Sequence, residues 1–409
     1  MAPLYIQLLT RANIRFVRRN AYLWSYVEGE ESLRNWENMG GLEQELITAS
    51  ENGIQTVLIV RSTPAWAQKV RGSLCGPAKR EKLGSFASFM RDLVSRLSQP
   101  PYNVKYWELG NEPDHTPSQV SPDNVFDCWA DQDDRYFGGR YYAEMLSKVY
   151  PAIKSTDPTA QVLIGGLSLI CDPGQAPAIQ DCASALFFKG ILENGGGDYF
   201  DIVSYHGLSY YNSGDNPADS TVHWQARGGI VVGKYLYIKE VMQSYNIDKP
   251  VWLTEASLFC HENNLQDCFP PVDDFSEAQA AYAVMLLVNN WAIGIDATVW
   301  YDLEGNWRYG ALLDRSHNPK PVYSAIQFLI QELSQAVYVG PVEDFPELIG
   351  YEFRSTEKRV WVLWSRDVNA ISVLLPAETT RVLDKYGGVL NPMAGKITVS
   401  QPIYVELIP

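Results

Sequence analysis

The segment Tyr106-Trp107-Glu108-Leu109-Gly110-Asn111-Glu112-Pro113 decides how the rest of the chain is read. It starts as an apolar extended run and stops at Asn-Glu-Pro. Pro113 has no N–H to give and cannot continue a hydrogen-bonded ladder, so the strand ends there and leaves the Glu112 side chain at its C-terminal rim.

Six further short runs rich in β-branched or aromatic residues flank this one: Asn13–Arg18, Gln55–Val60, Gln161–Ile164, Asp201–Tyr205, Val251–Thr254 and Thr298–Tyr301. They recur about every 47 residues, each followed by a helical pattern, as a strand-plus-helix repeat with long loops requires. In Lys82–Ser98 the residues Leu83, Phe86, Phe89, Met90, Leu93, Val94 and Leu97 fall three and four apart and give one buried helix face. Ser276-Glu277-Ala278-Gln279 has capping-box spacing and predicts a helix opening at Ala278. The reading is an α/β chain, a (β/α)8 TIM barrel over 1–337. Only seven strands are found. Thr10 to Arg18 reads as the end of a helix running into a strand, so the missing first strand would belong before Met1, or be supplied otherwise.

After about Val337 the texture changes to short alternating strands, Glu352–Arg354, Val360–Trp364, Ala370–Leu375, Ile397–Val399 and Ile403–Leu407, without helical period between them. This predicts a small antiparallel β-sandwich domain on 338–409.

Among 409 residues there are 33 Lys and Arg against 48 Asp and Glu, a net charge of −15. No basic face for phosphates is expected, hence no nucleic-acid partner. No apolar stretch is long enough to cross a bilayer, so no membrane partner is expected either. Met1-Ala2-Pro3-Leu4 does not read as a signal peptide.

A second carboxylate stands at a strand end in Pro250-Val251-Trp252-Leu253-Thr254-Glu255-Ala256-Ser257. Alternation puts Val251, Leu253 and Glu255 on one face; with the first two turned inward, Glu255 would crown the barrel. Two glutamates from different strands could then face each other. One as protonated acid and one as attacking carboxylate, about 5–5.5 Å apart, are what retaining glycoside hydrolysis needs.

Trp-Glu-Leu-Gly-Asn-Glu-Pro followed by Trp-Leu-Thr-Glu resembles the clan A glycoside hydrolases, retaining (β/α)8 enzymes. The resemblance runs from about Asn13 to Leu329 and is nearest in texture to families 39 and 5. It implies that Glu112, ending the fourth strand, is the acid/base, that Glu255, ending the seventh, is the nucleophile, and that Asn111 binds the sugar 2-hydroxyl. It makes Val104–Leu109 the fourth strand and Asn13–Arg18 the second. Phe16-Val17-Arg18 resembles the clan's second-strand arginine that contacts the nucleophile. Asp201-Ile202-Val203-Ser204-Tyr205-His206 resembles the sixth-strand ending that brings a histidine to the carboxylates. Trp300 looks like the clan's sugar platform, and Trp66 and Tyr210 on other rim loops are further candidates for stacking on the apolar face of a sugar.

On that framework Cys171 and Cys182 share one loop, Cys260 and Cys268 another, and Cys75 and Cys128 lie in neighbouring ones. Three local pairs are expected, stapling the active face of an exported protein, with reduced thiols as the alternative. Competing motifs fail. There is no G-x-S-x-G and no H-E-x-x-H, and the nearest approach to a phosphate loop, Gly228 to Lys234, is followed by Tyr235 where Ser or Thr is required. The expected partner is a carbohydrate, with no metal and no cofactor. A non-catalytic carbohydrate-binding protein on a degenerate barrel is the alternative. The sugar, the linkage, exo or endo action and the oligomeric state are not written in these motifs.

Overall fold

Strands form at each of the seven runs. The computed structural model describes residues 3–21, 23–119, 126–174, 184–211, 223–260, 273–305, 307–367 and 369–408. Strands β1 (Phe16–Ala21), β2 (Gln55–Val60), β3 (Tyr106–Asn111) and β4 (Gln161–Gly166) make a four-stranded sheet in chain order, with parallel register Arg18 to Val57 and Asn111 to Gly166. Parallel bridges from Leu163 to Ile202 and Leu167 to Tyr205 lead to β5 (Val203–Tyr211), and β5, β6 (Val251–Cys260) and β7 (Ala297–Trp300) follow as a second sheet in that order. Helix α1 (Pro3–Arg11) precedes β1, as the sequence anticipated.

Helices α2 (Leu23–Val27), α3 (Gly40–Glu51), α4 (Leu83–Leu97), α5 (Gly139–Thr156), α6 (Leu186–Glu193) and α7 (Ile230–Ser244) alternate with the strands. All seven apolar positions anticipated in α4 are buried. Each removes roughly 1.5–3 kcal/mol of side chain from water, which is why this face and no other turns inward.

The described residues divide into two compact units: Met1–Thr10, Ile14–Leu208 and Asp215–Ala256 in the first, Arg11–Asn13, Ser209–Gly214 and Ser257–Pro409 in the second. In the first, β1, β3 and β6 carry a cluster of Phe16, Tyr106 and Trp252, with ring centroids 5.2–5.6 Å apart. Phe16 and Arg18, Tyr106 and Glu108, Trp252 and Thr254 are each two residues apart, so the aromatic floor lies one layer below a polar layer on the same face.

That arrangement corrects the alternation expected for β6. Trp252 and Thr254, not Val251 and Leu253, share the face of Phe16 and Glu108. Leu253 instead approaches Gly207 beside Val231 of α7. Both faces of a parallel strand are covered, so Val251-Trp252-Leu253-Thr254 is apolar on both and alternation could not choose between them.

In the second unit, α8 (Asp273–Ile293) and α9 (Pro321–Glu332) lay Ala280, Val284, Val288, Ala325 and Leu329 on a six-stranded antiparallel sheet. Its strands β8 (Val337–Pro341), β9 (Leu348–Arg354), β10 (Arg359–Ser365), β12 (Thr379–Asp384), β13 (Val389–Leu390) and β15 (Ile403–Leu407) run in the order β13-β12-β15-β10-β9-β8. Strand β10 is buried on both faces. Val360, Val362 and Trp364 meet the helices, while Trp361 and Leu363 join a cluster with Val373 and Val399 of the pair β11 (Ile371–Leu374) and β14 (Lys396–Val399). The helix with the capping-box spacing begins at Asp273, earlier than anticipated, and Gln279 caps nothing: its Nε2 donates to the carbonyls of Leu258 (2.8 Å) and Tyr309 (3.1 Å).

Candidate active site

The site is built on strands of the first unit: Asn111 and Glu112 stand at the end of β3, while Arg18, His206 and Glu255 stand inside β1, β5 and β6, the last of which runs on to Cys260 instead of ending at Glu255 as anticipated. Asn111 closes β3, and Glu112 follows with φ +53°, in the left-handed region that a non-glycine residue enters only at a cost of about 1–3 kcal/mol. Its N–H donates to the Gly166 carbonyl (2.9 Å), and Pro113 prevents the strand from continuing. Asn111 is held from outside the strand: its N–H donates to Asp127 Oδ2 (2.8 Å) and its carbonyl accepts the Asp127 N–H (2.6 Å). Gly110 makes room for this brace, because a Cβ there would stand 2.4 Å from Asp127 Oδ2. Burial pushes the Asp127 carboxyl up to about 7, against the pull of Arg61 and the Asn111 N–H.

Arg18 is the hub. Its Nε donates to Glu108 Oε2 (2.6 Å), its Nη2 to Asn111 Oδ1 (2.7 Å), and its Nη1 to Glu255 Oε1. A planar guanidinium can serve three acceptors at fixed angles, which an ammonium cannot. Glu108 is fully buried, and its other oxygen accepts from Ser204 Oγ (2.7 Å). Burial alone would lower the Arg18 pKa, but Glu108 and Glu255 outweigh it and raise it.

His206, ending the apolar part of β5, presents Nδ1 to both carboxylates, at 2.6 Å from Glu112 Oε1 and 3.6 Å from Glu255 Oε2. Its Nε2 is buried without a hydrogen-bond partner against Gly166, where a Cβ would come within 2.1 Å. His115 completes the ring around Glu112, its Nε2 3.1 Å from Oε2. Burial would raise the Glu112 pKa, but the hydrogen bonds and charges of His115 and His206 outweigh it and hold it below the usual carboxylate range. A Glu112 oxygen, a Glu255 oxygen and a His206 nitrogen all lie within 4.8 Å of one another.

The structure thus brings together Glu112, Glu255, Asn111, Arg18 and His206. It does not bring the aromatic candidates into this hydrogen-bonded group. Trp66 Nε1 donates to the Glu28 carbonyl (2.9 Å), and its ring packs edge-on against Trp24. Trp300 and Tyr210 belong to the second unit, where Trp300 Nε1 donates to the Gly310 carbonyl (2.9 Å) and Tyr210 lies beside Phe259. Lys234, the last residue of the failed phosphate-loop motif, donates to the carbonyls of Ser168 (2.5 Å) and His206 (2.8 Å), and burial lowers its pKa to about 8.

Two residues went unassigned in the sequence. Glu108 shares a face with Tyr106 inside a covered strand, and a buried carboxylate demands a counter-charge, so its position pointed to an arginine across the sheet. His115 stands three residues beyond Glu112 in the turn that Pro113 forces, close enough to reach back.

Cys75 and Cys128 form a disulfide joining the loops after β2 and β3, next to Asp127. Cys171 and Cys260 are also disulfide-bonded. Cys182 and Cys268 lie outside the described residues. The double variant Cys75→Ser/Cys128→Ser is expected to lose about 2–4 kcal/mol of stability, read as a lowered urea midpoint under oxidising conditions. An unchanged midpoint would show that this bond constrains nothing.

No protein-family model matches this sequence, and no curated protein does. Solved structures do. A family 39 glycoside hydrolase from the gut symbiont Bacteroides cellulosilyticus WH2 superposes with a TM-score of 0.71 at 18% identity, covering 99% of this chain and 77% of that one. A family 30 subfamily 8 xylanase from Clostridium acetobutylicum gives 0.61 at 12% identity, over 100% of this chain and 93% of that one. A family 51 α-L-arabinofuranosidase from Bifidobacterium longum gives 0.61 at 12%, over 99% and 89%. The fold is shared with the clan A glycoside hydrolases: a TIM barrel with a C-terminal β domain.

Proposed function

We propose that this chain is a retaining glycoside hydrolase that cleaves β-glycosidic bonds of oligo- or polysaccharides by double displacement. The observation that carries the reading is the approach of Glu112 and Glu255 oxygens to within 4.8 Å. So close an approach supports the retaining spacing of about 5–5.5 Å over the roughly 6.5–9.5 Å of inverting sites. Glu255, oriented by Arg18, attacks the anomeric carbon while Glu112 protonates the departing oxygen. In the second half Glu112 takes a proton from water, whose oxygen breaks the glycosyl ester. Asn111 stands beside Glu112, where it can meet the 2-hydroxyl, and Trp300, Tyr210 and Trp66 are carried as stacking candidates. The Cys75–Cys128 disulfide favours an exported protein.

Glu112, His206 and Glu255 are also chemically suited to a divalent cation. Arg18 argues against that use, because a guanidinium bonded to Glu255 Oε1 would place its charge against any bound dication. A panel of nitrophenyl glycosides and polysaccharides, followed by proton NMR of the first-formed sugar, tests the proposal. Retention of configuration, unaffected by EDTA, is expected. An inverted first product, or no hydrolysis of any glycoside, would refute it.

A further inference from the structure

Glu112 has both carboxylate oxygens occupied, and the two occupants differ. Oε1 faces His206, whose side chain is 2% exposed and which also approaches Glu255. Oε2 faces His115, whose side chain is 14% exposed. The His115 ring cannot swing away freely. The Phe126 ring lies 5.3 Å from it, and the His115 backbone is held at both ends, its main-chain N–H donating to the Glu112 carbonyl (3.4 Å) and its carbonyl accepting from the Ala130 N–H (3.0 Å). An acid/base must carry a proton at one moment and be bare at the next, yet an N–H donated to Oε2 occupies the oxygen that would carry it.

We propose that His115 is a positioning residue that shares a single proton with Glu112 across the Nε2–Oε2 contact, loading the carboxyl for the first half-reaction and unloading it in the second. The inference rests on the retaining reading of the site. In the first half the Nε2 proton passes to Oε2 and on to the glycosidic oxygen as the bond to the leaving group breaks and Glu255 forms the ester. In the second, water attacks the anomeric carbon and its ester bond to Glu255 breaks, releasing the carboxylate. Oε2 takes the water's proton and the proton returns to Nε2, so the cycle consumes one glycoside and one water. The charged groups facing His115 fit this role. Burial and Lys234 of α7 pull its pKa down, while Glu112, in contact, and Asp114 push it up and prevail. His206 faces the same carboxyl from β5.

Two measurements test it. Nitrogen-15 NMR of the imidazoles in the intact protein should show one histidine, identified by its loss in His115→Gln, titrating above the ordinary range near 6.5 and dropping when Glu112→Gln is introduced. In kinetics, His115→Gln should lower kcat/KM about tenfold or more for glycosides with poor leaving groups, which need full proton donation, and much less for dinitrophenyl glycosides. The alkaline limb of its pH profile should fall toward the carboxylate range. A His115 midpoint indifferent to Glu112→Gln overturns the proposal, as does an active parent enzyme whose limb and leaving-group dependence survive His115→Gln. A coupled midpoint in a protein that hydrolyses no glycoside would instead keep the shared proton and refute the glycosidase reading.

Discussion

Glu255→Gln is expected to lower kcat at least about 10⁴-fold, the scale on which a hydrolase loses turnover with its covalent nucleophile. At 1.36 kcal/mol per tenfold this is about 5.4 kcal/mol of barrier. Glutamine keeps the volume and can still accept from Arg18 Nη1, which now donates to Glu255 Oε1. The far-ultraviolet spectrum and denaturation midpoint should therefore stay close to the parent's, and the loss be one of chemistry. The two glutamates are told apart by adding azide to the glycine variants. With Glu255→Gly, azide enters the vacated space and attacks directly, giving an inverted glycosyl azide. With Glu112→Gly, the ester still forms and azide replaces water on it, giving a retained one. Near-parental turnover in Glu255→Gln would mean that the two carboxylates are neighbours without being partners.

How much of this was legible follows from where each signal lives. Strand ends are local: a proline after Asn111-Glu112 and a β-branched run before each loop place the strands, and the resemblance then names Glu112 and Glu255. The supporting groups are tertiary. Glu108 matters only because Arg18, on another strand, meets it at 2.6 Å, and Asp127 only because its loop returns to the Asn111 backbone. No spacing in the chain encodes those meetings. The face of Val251-Trp252-Leu253-Thr254 was unreadable for a different reason, the absence of polar contrast in a strand covered on both sides. Aromatic rings are ambiguous in the same way. Trp24 is buried against Phe86, at a centroid distance of 4.6 Å, and a large ring that fills a core looks in sequence like one that waits for a sugar.

Arg18→Met should separate two debts that the hub settles at once. Methionine approximates the stem but leaves Glu108, fully buried, with hydroxyl donors and no counter-charge. Breaking a buried pair from one side typically destabilises by about 3–5 kcal/mol, a large part of the roughly 5–15 kcal/mol that holds a domain together. The urea midpoint should fall accordingly, and turnover with it, because Glu255 Oε1 and Asn111 Oδ1 lose the donor that aims them. Arg18→Lys should recover little of either, since one ammonium cannot reach three acceptors spread over β3 and β6. The decisive variant is Arg18→Met/Glu108→Leu. Removing the stranded carboxylate along with the guanidinium should return most of the stability, as apolar replacements of buried ion pairs often do. It should return none of the turnover, because the nucleophile remains unaimed. Recovery of both together would reduce Arg18 to a counter-ion for Glu108 and leave Glu255 to find its own position.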